Sequence, residues 1–174
     1  MTAPRLSLIL GGARSGKSRF ALARAEASGL APVYVATAQA YDDEMAERIR
    51  LHQAERQGMP TVEAPIDLGA AIAAEGRQGR LLLVDCLTLW LSNVMLAERD
   101  VAAACDGLET ALKACACPVV AVSNEVGLSI VPENALARRF RDAQGRLNQQ
   151  IAAVADEVVF VAAGLPLYLK RYAS

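Results

Sequence analysis

The stretch Gly11-Gly12-Ala13-Arg14-Ser15-Gly16-Lys17-Ser18 constrains this chain more than any other. It satisfies the pattern G-x-x-x-x-G-K-[ST] at every defined position. The apolar run Leu6–Leu10 precedes it, and Arg19-Phe20-Ala21-Leu22-Ala23-Arg24-Ala25-Glu26, rich in helix formers, follows. A strand, a glycine loop and a helix in that order make an anion cradle. The glycines let successive backbone N–H groups turn inward, and the helix that starts near Lys17 adds the positive end of its dipole. Lys17 then reaches the β- and γ-phosphates of a nucleoside triphosphate, and the Ser18 hydroxyl completes a Mg²⁺ shell. The chain reads as a nucleotide-binding protein.

The rest alternates between strand-like and helix-like segments. The first helix runs to about Ser28-Gly29, Val33–Thr37 reads as a strand, and Asp42 or Asp43 caps a helix from Glu44 to about Gln57. Thr61–Glu63 is a short extended piece, and Asp67 to about Glu75 is a modest helix. Leu81–Asp85 and Pro118–Asn124 are continuous apolar runs, as expected of strands buried on both faces. A helical region spans Leu87 to Ala116 with a break near Glu98–Asp100, and Pro132 opens a long helix, Glu133–Ala155. Val158–Ala162 reads as the last strand, ahead of Gly164 and Pro166. This alternation predicts an α/β fold of the P-loop type, a mostly parallel sheet with helices on both faces, in a single domain over residues 1–174.

Composition narrows the function classes. With 18 basic and 19 acidic residues the net charge is −1, so the bulk charge carries no nucleic-acid footprint, and the cluster Arg138, Arg139 and Arg141 reads as a solvated helix face. Of the four cysteines only Cys115 and Cys117 are close-spaced, with no second pair and no histidine partner, which predicts reduced thiols rather than zinc or a disulfide framework. The short apolar run before the glycine loop is not a signal peptide, and the apolar stretch Ile151–Leu169 is broken by Asp156, Glu157 and Pro166, which argues against a membrane span. A cytoplasmic protein is expected.

Three further places carry chemistry. Asp85 ends an apolar strand, which places it at the carboxyl edge of the sheet, where such folds bind ligands. There it either holds Mg²⁺ or caps the helix that follows Cys86. Asn124 and Glu125 end another strand at the same edge and either orient substrate or serve the turn. His52, the sole histidine, shares a helical face with Met45, Arg48 and Ile49. Beside Met45 and Ile49 it fits a packed structural residue. Arg48 and Arg56, one turn away on either side, instead favour neutral imidazole, the nucleophilic form, and can grip phosphate. A histidine so placed can accept a phosphoryl or nucleotidyl group covalently.

Several segments together resemble one family: Gly11–Arg19, Tyr34–Thr37, Asp42–Met45 with Arg48, Ile49 and His52, Ser123–Gly127, Val131–Asn134 through Arg138, and Arg146–Asn148. They look like the bifunctional adenosylcobinamide kinase/adenosylcobinamide-phosphate guanylyltransferases of cobalamin biosynthesis, over nearly the whole chain. The resemblance implies phosphorylation of the aminopropanol hydroxyl of adenosylcobinamide by GTP or ATP. It also implies GMP transfer from GTP to that phosphate through a covalent histidine–GMP intermediate, yielding adenosylcobinamide-GDP. The family's histidine falls on His52. Its nucleotide contacts fall on Gly11, Gly12, Ala13, Arg14, Ser15, Gly16, Lys17 and Ser18, on Ala36, Thr37 and Ala38, on Gln53, Ala54, Glu55 and Arg56, on Glu63 and on Asp85. Lys17 joins His52 as a catalytic residue, Ser18 and Asp85 are the Mg²⁺ ligands, and the family implies a homotrimer. The alternative is a different small-molecule P-loop kinase without guanylyl transfer, in which His52 is structural. A regulatory GTPase is disfavoured because no N-K-x-D stretch is present.

Overall fold

A computed structural model describes residues 4–39 and 58–171. Seven strands form one sheet: β1 (Leu6–Gly11), β2 (Ala31–Ala36), β3 (Thr61–Glu63), β4 (Arg80–Asp85), β5 (Val119–Asn124), β6 (Glu157–Ala162) and β7 (Leu165–Lys170). Their order is β3-β2-β4-β5-β1-β6-β7, every pairing parallel except β6 with β7. Among the described residues the helices are α1 (Lys17–Glu26), α2 (Leu68–Glu75), α3 (Leu87–Leu96), α4 (Val101–Ala114) and α5 (Ala135–Val154). The expected helix from Glu44 to Gln57 lies outside the described residues.

Alternation along the central strands sends side chains into two cores. Leu8, Leu10, Leu82, Val84, Val119 and Ala121 join the larger core beneath α2 to α5, with Trp90, Leu108, Leu147 and Ile151. Ile9, Leu81, Leu83, Val120, Val122 and Val159 face the other way and pack with Ala21 and Ala25 of α1. Both faces are therefore covered, which is why the strands read as unbroken apolar runs.

The helix boundaries follow local chemistry. The break expected near Glu98–Asp100 separates α3 from α4, with Glu98 at φ 53 and the Asp100 side chain accepting the Ala103 N–H at 3.1 Å. The long helix begins at Ala135, not at Pro132. Asn134 caps it, its Oδ1 accepting the N–H groups of Leu136 at 2.8 Å and Ala137 at 3.2 Å, so Pro132 and Glu133 stay outside.

Ala162 does not end the last strand of the sheet, as the sequence predicts. A tight turn at Ala163 (φ 51) and Gly164 (φ 78) reverses the chain into the antiparallel edge strand β7. Two positive-φ residues in a hairpin turn match the right-handed twist of the strands. Pro166 is tolerated because β7 lies at the edge. The stretch Ile151–Leu169 is thus a helix end and two strands, and among the described residues no helix is long and apolar enough to cross a membrane.

Candidate active site

The glycine loop leaves β1 at Gly11 and enters α1 at Lys17. Gly16 is the N-cap at φ 93, a conformation that L side chains rarely adopt, and its carbonyl accepts the Phe20 N–H at 3.0 Å. No side chain caps the helix, so its first N–H groups are left for a ligand. Ser15 N–H donates to Gly12 O at 3.3 Å, and Lys17 Nζ donates to the same carbonyl at 3.2 Å. The Ser15 hydroxyl oxygen is buried in the loop without a hydrogen-bond partner. N–H groups, an ammonium and an unsatisfied hydroxyl are what a bound polyphosphate would engage.

A cavity of about 800 Å³ opens beside the loop, lined by Arg14, Ser15, Lys17, Ser18, Tyr34 and Asp85 among others. Asp85 reaches it from the carboxyl end of β4, as expected. The register sets Glu63, Ala36, Asp85 and Val122 in one row across β3, β2, β4 and β5. Asp85 is not the cap of α3: that position is Cys86, in extended conformation and without a side-chain cap bond. Ser18 and Asp85 bring a hydroxyl and a carboxylate to the same cavity, hard oxygen donors of the type Mg²⁺ prefers. Among the described residues no group of three or more His, Cys, Asp or Glu is placed to hold a metal, so a cation here would need substrate oxygens to complete its shell.

Cys86, next along the chain, is held as a neutral thiol. Burial pushes its thiol up to about 12, and the neighbouring Asp85 charge adds to the shift. All four cysteines are free thiols.

Of the other expected contacts, those among the described residues lie around this edge. Thr37 is fully buried, its hydroxyl donating to Cys86 O at 2.7 Å and accepting from Cys86 N–H at 2.8 Å, which ties the ends of β2 and β4. Asn93 Nδ2 donates to Thr37 O at 2.8 Å. Ala36 closes β2, Ala38 is half-buried just beyond it, and Glu63 is exposed at the end of β3. His52, Gln53, Ala54, Glu55 and Arg56 lie outside the described residues. Glu125 serves its own turn, Oε1 accepting the Gly127 N–H at 2.6 Å, while its N–H donates to Gly11 O at 3.1 Å.

Some contributors escape the sequence reading. Ala163 and Gly164, in the β6–β7 turn, line the cavity, and Gly164 N–H donates to Ser15 O at 2.8 Å. The signal was there in Ala163-Gly164 between two apolar segments, but Ala is a weak marker of a positive φ. Tyr34 lines the cavity too, although only Ala36 and Thr37 of its strand are expected at the nucleotide.

Comparison with known proteins gives the fold and the family. Among solved structures, the RadB recombinase superposes with a TM-score of 0.53 at 17% identity, covering 91% of this chain and 74% of that one, a likeness of fold. In sequence, the bifunctional adenosylcobalamin biosynthesis protein CobP of Pseudomonas aeruginosa is 49% identical over 94% of this chain and 96% of its own length. The bifunctional adenosylcobalamin biosynthesis protein CobU of Escherichia coli is 41% identical over 94% of this chain and 98% of its own. The family model described as cobinamide kinase / cobinamide phosphate guanyltransferase matches residues 7–169, from the start of β1 nearly to the end of β7. A P-loop site continuous with a match of that extent makes this chain a member of the cobinamide kinase / cobinamide phosphate guanyltransferase family.

Proposed function

We propose that this chain performs both reactions of its family as one P-loop domain, with the glycine loop holding the triphosphate and His52 carrying GMP between the two substrates. The observation that supports it most is the convergence of Lys17, Ser18 and Asp85 on one cavity at the carboxyl edge of the sheet. Lys17 neutralises charge that builds on the transferred phosphoryl group, and the backbone N–H groups of the loop orient it. Ser18 and Asp85 are the residues that would hold Mg²⁺, which supplies charge neutralisation between the phosphates when bound. In the kinase step the aminopropanol hydroxyl of adenosylcobinamide takes the γ-phosphoryl group of GTP or ATP. In the second, His52 attacks the α-phosphorus of GTP, pyrophosphate leaves, and the cobinamide phosphate then takes GMP from the histidine. Gln53, Ala54, Glu55, Arg56, Ala36, Thr37, Ala38 and Glu63 complete the nucleotide contacts in this reading, in a cytoplasmic homotrimer.

The test is incubation of the intact protein with α-labelled GTP. A phosphoramidate gives protein-bound label that is lost in acid and survives alkali. Label with the opposite stability, or none, refutes the histidine intermediate while leaving the family's two reactions to be assayed directly.

A further inference from the structure

The connection from β5 to α5, residues 125–134, carries apolar side chains that neither core takes up. Leu128 is 83% exposed, Ile130 94% and Val131 60%, and Leu136 in the first turn of α5 is 51% exposed. One exposed leucine is ordinary. Large apolar side chains crowded into one connection instead mark a contact surface.

The backbone beneath them is held in place. Glu125 donates its N–H to Gly11 O, at the root of the phosphate loop, and its side chain takes the Gly127 N–H. Ser129 Oγ donates to Val126 O at 3.1 Å. Arg138, one turn into α5, donates from Nη1 to Pro132 O at 2.9 Å and also to Glu133 O. The connection thus spends its polar groups on its own shape and leaves its apolar groups to solvent. A surface fixed in advance costs less to bind than one ordered by its ligand.

The size of the family's acceptor selects the occupant. The cavity beside the phosphate loop is about 800 Å³, within the range of about 300–1,000 Å³ that takes one drug-sized ligand. A nucleoside triphosphate there leaves room for the aminopropanol arm of cobinamide and not for its macrocycle. The ring must rest outside the cavity yet close to the loop, on an apolar support at the carboxyl edge of the sheet. The connection after β5 leaves that edge beside Gly11, which pairs with Asn124 at the end of the strand. We propose that Leu128, Ile130 and Val131 are the seat of the corrin ring, in cobinamide and in cobinamide phosphate alike. The inference rests on the reading of the glycine loop as the kinase site. The ring covers the three side chains, and the arm runs from there to the phosphates. Phosphorylation changes the end of the arm and leaves the ring as it was, so one seat serves both steps.

The test uses the intact protein and adenosylcobinamide, whose colour reports its bound fraction in equilibrium dialysis. The parent is compared with Leu128→Ser/Ile130→Ser, with Ile130→Ser alone in case the pair does not fold, and with Leu128→Met/Ile130→Met, which keeps the apolar surface. For the serine pair the Kd for adenosylcobinamide should rise roughly tenfold or more, because apolar surface is no longer removed from water on binding. KM for adenosylcobinamide in phosphorylation, and for its phosphate in GMP transfer, should rise by similar factors with kcat little changed. The methionine pair should bind close to the parent, and nucleotide affinity should hold in every variant. Unchanged cobinamide affinity in a folded serine pair overturns the proposal. So does a lower thermal midpoint or an altered mass of the free variant, which would assign these side chains to a contact within the chain or between copies. A loss shared equally by the nucleotide overturns it too. A parent that binds nucleotide but no cobinamide overturns the kinase reading and this inference with it.

Discussion

Gly164 donates its backbone N–H to the Ser15 carbonyl at 2.8 Å, so the turn between β6 and β7 braces the phosphate loop from the side. The two segments run close together there. A Cβ on Gly16 would lie 3.1 Å from Gly164 Cα, whereas a Cβ on Gly164 would meet only Arg19 Nη2, at an ordinary 3.5 Å.

Two substitutions should therefore differ in severity. Gly16→Ala combines an unfavourable φ of 93 with crowding against backbone, and Gly164→Ala at φ 78 has the angle alone. Each misplaced angle costs about 1–3 kcal/mol. Gly16→Ala should weaken nucleotide binding by roughly tenfold or more, and Gly164→Ala by clearly less. Titration with a fluorescent guanine nucleotide checks the order. A Gly164→Ala protein as impaired as Gly16→Ala would mean that the turn itself, not the crowding, governs the loop.

The loop, Asp85 and the alternation of elements were legible because each rests on local chemistry: a glycine pattern, a charge ending an apolar run, a cap. The strand β7 was not, because Leu165-Pro166-Leu167 alternates only weakly and exposes both leucines, as edge strands do. Its role beside the loop depends on Gly164 reaching Ser15, a contact across roughly 150 residues of chain that no local pattern encodes. Asn124 could be placed at the carboxyl edge from sequence, but not the long-range bonds that hold its backbone, from its N–H to Thr88 and from Asn148 to its carbonyl.

Asp85→Asn keeps the size of the side chain and removes the charge that would balance Mg²⁺. The cap of α3 is unaffected, since Cys86 occupies it. The expected result is a raised Mg²⁺ requirement and a much lower rate in a protein of nearly unchanged stability. Mg²⁺ titrations of variant and parent that overlay would remove Asp85 from the ion.

The raised thiol of Cys86 predicts a weakness in alkali. Its folded value of about 12 lies above the ordinary 9.0, so the unfolded chain gives up this proton first. Stability from this group is complete below the ordinary value and is lost as pH climbs from 9.0 toward about 12. Unfolding midpoints measured over that range should fall with pH, and Cys86→Ala should show a shallower fall from a lower starting point. Parallel slopes in the two proteins would mean that other groups govern the alkaline limb.

Lys17 and His52 should separate the two reactions. If Lys17 serves any transfer from a triphosphate held in the loop, as proposed, Lys17→Ala should lower cobinamide phosphorylation and GMP transfer alike, by several kcal/mol of transition-state stabilisation, on the order of 10²–10³-fold in rate. In the proposed mechanism His52 is needed only where a covalent carrier is formed. His52→Ala should abolish labelling from α-labelled GTP and stop GMP transfer. Phosphorylation should continue, because that step draws on the γ-phosphate and the loop and requires no histidine nucleophile. Equal loss of both activities in an unfolded His52→Ala protein would return His52 to the packing role suggested by Met45 and Ile49. A folded His52→Ala protein that still transfers GMP at the parent rate would end the covalent mechanism. Only loss of transfer with retained phosphorylation, set against Lys17→Ala losing both, fits a single loop serving two chemistries.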